Sequence, residues 1–120
     1  MSSQSLPAFT GECLIGGRWV RGSGPEFPSI APADEAVIWT GNEAGVADVD
    51  TAVAAARGAF ASWRRTSIED RIGLVRRFAR LVEDRKADMA AVISRSTGKP
   101  LWDAATEAGA MVGKADLSVR

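Results

Sequence analysis

The only possible thiol nucleophile in the chain is Cys13, and the sequence contains no histidine. A reactive cysteine needs a helix N-terminus, a cation or a base to lower its pKa. Cys13 instead lies beside Leu14 and Ile15 in a run that predicts a strand. The lack of histidine also removes the commonest general base and the commonest metal ligand. The pattern therefore favours a packed structural cysteine, which behaves as a small apolar side chain.

Two carboxylates, Asp103 and Glu107, are four residues apart and share one face of a predicted helix. Such pairs can act as an acid and a base or as metal ligands, but no histidine or further carboxylate converges on them in sequence. Lys114 follows on the same side of the helix. The spacing therefore favours an ion network on the helix surface over a catalytic or metal site.

The Gly-Lys pair in the segment 96–100 is not a phosphate-binding loop. It lacks the earlier glycine and the Ser or Thr after the lysine, and it follows a predicted helix rather than a strand. Gly98 instead predicts a left-handed helix cap, and Pro100 suits the first turn of the next helix.

Charge is balanced overall, with 15 basic and 15 acidic residues, but it is unevenly distributed. Residues 57–86 hold nine basic and four acidic side chains, whereas residues 1–56 hold two basic and seven acidic ones. The zero net charge argues against nucleic-acid binding. The sequence has no run of about 20 apolar residues of the kind that spans a membrane. Its first residues do not resemble a secretory signal. With 46% hydrophobic residues, the composition is that of a globular protein.

The basic part of the sequence predicts an amphipathic helix with many cations: Arg71, Arg76, Arg77, Arg80, Arg85 and Lys86. Acidic neighbours such as Glu69, within reach of Arg76, favour a solvated, ion-paired face. A helical binding module that presents the basic face 57–86 to an acidic protein or a membrane remains the alternative. Trp63 and Phe78 are expected at core positions, where they would not stack on bases.

The predicted elements are a flexible tail over residues 1–10 and a β-rich region over residues 12–41. Gly16 and Gly17 predict a hairpin turn, the segment 22–32 predicts an irregular loop, and the run 36–40 predicts a strand buried on both faces. Helices are expected over residues 46–65, 67–96 and 100–120, with a kink near Lys86 that would make a fourth helix. Gly45 is the expected N-cap of the first helix. A capping box starting at Thr66 is expected at the second helix. The periodic pattern runs to Arg120, which predicts truncation within a helix.

These motifs together resemble the N-terminal region of the aldehyde dehydrogenase superfamily. The resemblance covers residues 14–120 and is carried by the hairpin 15–20, the helix 48–63, the segment 67–71 and the Thr-Gly-Lys-Pro turn 97–100. Trp102, Glu107 and Lys114, with the run 39–42, resemble one subfamily that oxidises a semialdehyde in bacterial arginine catabolism. The sequence departs from the family pattern at Ser96, where an acidic residue is usual, and at residues 31–35.

The resemblance implies an α/β fold with a Rossmann-type cofactor domain. Residues 11–120 would be the N-terminal part of that domain, a short β-hairpin region followed by three or four helices. It also implies a cytoplasmic, homo-oligomeric enzyme that uses NAD or NADP on a small aldehyde. The family's nucleophilic cysteine, general-base glutamate, oxyanion-hole asparagine and nucleotide fingerprint all lie beyond the matched region. No catalytic, cofactor-binding or metal-binding residue is therefore assigned, and the 120 residues alone are expected to be inactive.

Overall fold

The computed structural model describes residues 9–119, which divide into two compact units. One unit comprises residues 9–30 and 37–66, and the other comprises residues 31–36 and 67–119. The tail expected over residues 1–10 lies outside the described residues as far as residue 8, and residues 9–10 have no regular secondary structure.

The first unit begins with the predicted hairpin, formed by the antiparallel strands β1 (Cys13–Ile15) and β2 (Arg18–Val20). Its turn passes through Gly16 and Gly17, whose φ angles of +58° and +79° are accessible to glycine without a Cβ clash. The two-glycine signal thus fixes both the turn and the register of the strands.

A second antiparallel pair joins β3 (Glu26–Ile30) to β4 (Val37–Asn42). The strand β3 corrects the expectation of an irregular loop over residues 22–32. Pro28 pairs with Thr40 within it, and an edge strand tolerates proline because the missing N–H need not face a partner. The strand expected over residues 36–40 is found and extends to Asn42, but Val37 is exposed, so the expected burial on both faces is wrong.

The helix α1 (Val46–Trp63) starts where the sequence predicts, with Gly45 as its N-cap. It ends two residues before the expected position 65, in a turn through residues 64 and 65. No residue of α1 is buried: Val46 is 81% exposed and Trp63 is 46% exposed. The core position expected for Trp63 is therefore wrong in this chain.

Three helices form the second unit: α2 (Ile68–Asp84), α3 (Lys86–Thr97) and α4 (Leu101–Ser118). The stretch 67–96 is thus two helices, because the backbone turns at Arg85, whose N–H bonds back three residues to the Val82 carbonyl at 3.1 Å. The first of them is capped one residue later than expected, since the Ser67 hydroxyl accepts the Asp70 N–H at 3.1 Å. The last helix begins after Pro100, which is its N-cap rather than its first residue.

The core of the second unit consists of small side chains. Ala90 on α3 lies against Ala104 and Ala108 on α4, with Met89 and Ile93 packed around them. Alanines allow the two helix backbones to approach closely. Phe78, expected in the core, is 55% exposed, whereas Ala79 and Val82 on the same helix are buried.

Candidate functional site

The densest charged cluster in the second unit surrounds Lys99, in the turn between α3 and α4. Its ammonium lies 3.7 Å from an Asp103 carboxylate oxygen and donates a hydrogen bond to Glu107. The Glu107 hydrogen bond is the main cause that raises the pKa of Lys99, opposed by partial desolvation. The sequence identified both carboxylates but expected Lys114 as their cation, and the structure supplies Lys99 instead. Each carboxylate already has a counter-charge, so the cluster holds the turn together.

Gly98 gives this turn its direction. Its φ of +77° places it in the left-handed region, and its N–H donates to the Ser94 carbonyl at 2.9 Å, which closes α3 as predicted. The Ser94 hydroxyl donates to the Lys99 carbonyl at 2.8 Å. The Gly98 N–H and the Lys99 carbonyl are thus both engaged in closing α3.

The loop over residues 31–36 is attached to the same end of α3. Arg95 donates a hydrogen bond to Asp34 at 2.8 Å. That bond, followed by the Ala36 N–H, holds the pKa of Asp34 below its usual value. Glu35 adopts a left-handed φ of +58° next to it. The ion pair therefore stabilises a turn that contains one unfavourable backbone conformation.

In the first unit, the Asp48 carboxylate connects a loop to a helix through hydrogen bonds. One carboxylate oxygen accepts hydrogen bonds from the Ser23 N–H at 2.8 Å, the Ser23 hydroxyl at 2.7 Å and the Gly45 N–H at 2.8 Å. The Ser23 hydroxyl is the first cause that lowers the pKa of Asp48. The sequence predicted a favourable charge in the first helical turn, but the bond to Ser23 was not foreseen. Asp48 ties the loop after β2 to the start of α1.

Cys13 lies in β1 with its side chain half-buried and outside any disulfide. Within residues 9–119, no group of three or more cysteines and carboxylates is placed to hold a metal ion. An open cleft of about 660 Å³ lies near the hairpin, and its lining includes Trp19, Trp39 and Glu12. The ionisable groups Lys99, Asp34 and Asp48 each connect neighbouring segments of the chain through ion pairs or hydrogen bonds.

Glu83 near the end of the basic helix α2 forms an ion pair with Lys86, the first residue of α3, at 3.6 Å. Glu69 and Arg76 do not form the pair expected from the sequence. An apolar stripe of Leu74, Phe78 and Leu81 is exposed along the same helix. No helix among residues 9–119 is long and apolar enough to cross a membrane.

Comparison with known proteins shows which family of proteins this chain resembles. The model of the Aldehyde dehydrogenase family matches residues 19–120. The N-succinylglutamate 5-semialdehyde dehydrogenase of Paraburkholderia xenovorans is 50% identical over 109 residues, which are 91% of this chain and 22% of that protein. The protein of the same name from Chromobacterium violaceum is 48% identical over 107 residues, covering 89% and 22%. The chain thus spans about a fifth of the length of these curated relatives.

Solved structures agree in fold. An NAD-dependent benzaldehyde dehydrogenase from Corynebacterium glutamicum superposes with a TM-score of 0.87 at 30% identity, over 91% of this chain and 24% of that one. An NADP-dependent glyceraldehyde-3-phosphate dehydrogenase from Bacillus halodurans, solved with NADP, gives 0.85 at 25% identity, over 94% and 25%. Both superpositions extend over more than nine tenths of this chain. The resemblance read from the hairpin, the first helix and the turn at Gly98 is confirmed, and the chain belongs to the aldehyde dehydrogenase family.

Proposed function

We propose that these residues are the N-terminal part of an N-succinylglutamate 5-semialdehyde dehydrogenase. The whole enzyme would oxidise the semialdehyde to N-succinylglutamate with NAD or NADP, in arginine catabolism. The observation that carries the proposal is the 48–50% identity to proteins of this name over about nine tenths of the chain. Solved aldehyde dehydrogenases whose names give other substrates, benzaldehyde or succinate semialdehyde, are 30% identical.

We infer that the activity requires a longer polypeptide. The family's thiolate attacks the aldehyde, hydride passes to the nicotinamide, and a glutamate activates the water that releases the acid. The resemblance assigns these groups to positions beyond the matched region. Cys13 is half-buried in a short strand, and the Asp103 and Glu107 carboxylates are engaged by Lys99. Neither feature supplies an activated nucleophile or an available base.

The same reasoning assigns no cofactor contact to residues 9–119. A nicotinamide dinucleotide needs free backbone N–H groups at a glycine-rich turn before a helix. The Gly98 N–H is already bonded to Ser94, and Pro100 has no N–H at the start of α4. This turn therefore does not fit the pyrophosphate, and we derive no reaction step from it.

We propose that residues 11–120 form the hairpin and outer helices of the cofactor-binding domain. The support is the apolar surface on α1, where Val46, Val49, Val53 and Phe60 are all exposed. Such a continuous apolar stripe is expected where another layer of a domain packs. We further propose a cytoplasmic homo-oligomer. The single cysteine fits a reducing compartment because it can form no disulfide within the chain.

The test is a dehydrogenase assay on the protein encoded by the complete reading frame that contains these residues. NAD(P) reduction is measured with N-succinylglutamate semialdehyde, succinate semialdehyde and benzaldehyde, and the 120-residue chain is the matched control. We expect turnover with a preference for the first aldehyde and no turnover by the short chain. Preference for another aldehyde would refute the substrate proposal alone. Turnover by the short chain would refute the inference that catalytic residues lie outside it.

A helical binding module is the competing function, and the exposed Leu74, Phe78 and Leu81 beside Arg77 on α2 are the observation in its favour. A self-sufficient module should be monodisperse, melt cooperatively and bind little of the dye ANS. A part of a larger domain should instead bind ANS strongly through its exposed apolar side chains. Light scattering and ANS fluorescence on the 120-residue chain distinguish the two.

A further inference from the structure

We draw no further inference here: the strongest candidate, the exposed apolar stripe of Leu74, Phe78 and Leu81 on α2, carries nothing because no feature of the structure shows what covers it.

Discussion

Replacing Gly98 with alanine should destabilise the unit that contains α3 and α4. The residue has φ +77°, and an L side chain in the left-handed region costs roughly 1–2 kcal/mol. A Cβ atom at Gly98 would also lie 3.0 Å from Pro32 Cγ, so the loop would have to shift. Alanine restricts the unfolded chain, which offsets about 0.4–1 kcal/mol. We expect a net loss of about 1 kcal/mol in the free energy of unfolding.

The matched control is Gly113→Ala, the same chemical change inside α4. A Cβ atom at Gly113 would meet nothing within 4 Å, and its backbone is helical. Glycine in a helix interior is less favourable than alanine by roughly 0.5–1 kcal/mol. Gly113→Ala should therefore stabilise the same unit by about that amount. The two variants should differ by about 2 kcal/mol, with opposite signs relative to the parent.

Urea denaturation followed by far-ultraviolet circular dichroism measures both effects. With a slope of about 1–3 kcal/mol per molar urea, the midpoint should move by about 0.5 M, down for Gly98→Ala and up for Gly113→Ala. Gly98→Asn separates the two causes, because asparagine tolerates the left-handed conformation better than alanine. If Gly98→Asn is as unstable as Gly98→Ala, contact with Pro32 is the cause. If both alanine variants shift the midpoint upward, the reasoning about Gly98 is refuted.

Three further predictions concern the other contacts. Asp48→Ala should lower the urea midpoint, because the Ser23 and Gly45 donors lose their acceptor, whereas Asp50→Ala on the exposed side of α1 should leave it unchanged. The pKa of Asp48 is lowered from 3.8, so its stabilisation is present above pH 3.8 and is lost as the pH falls through the folded-state value. The midpoints of the parent and Asp48→Ala should accordingly converge in acid, and a constant difference would contradict this. Ala108→Leu should lower the free energy of unfolding by about 1–3 kcal/mol through overpacking, because Ala108 is fully buried. Ala110→Leu, on the exposed face of α4, is the control and should change it little in the same denaturation assay.

Features set by a few neighbouring residues could be predicted from the sequence. The Gly16-Gly17 turn, the Gly45 cap and the Gly98 cap all follow from backbone requirements that only a short stretch of chain must satisfy. The structure confirms each of them. The kink expected near Lys86 is also found, since α2 ends at Asp84 and α3 begins at Lys86, although no glycine or proline marks the break.

Features that depend on distant partners were missed. The strand β3 forms because its backbone pairs with β4, from Glu26 opposite Asn42 to Ile30 opposite Val37. The local sequence around Pro28 is typical of a turn and does not reveal this pairing. The cation of the charged cluster was misassigned for a similar reason. The helical spacing pointed to Lys114, but the turn at Gly98 brings Lys99 back over the first two turns of α4.

Whether the apolar face of α1 is buried depends on a second surface that packs against it, and the spacing of apolar residues does not reveal that surface. A spacing of three and four residues identifies which face of a helix is apolar, but burial requires a second surface that matches it. Within its unit α1 meets little more than β1, with Ala55 close to the turn at Gly16, and Val46 and Trp63 remain exposed. Apolar surface that stays exposed lacks the stabilisation of about 25 cal/mol per Å² that burial would give. A stripe this regular is therefore expected to belong to a larger core, which agrees with a chain that spans about a fifth of its relatives.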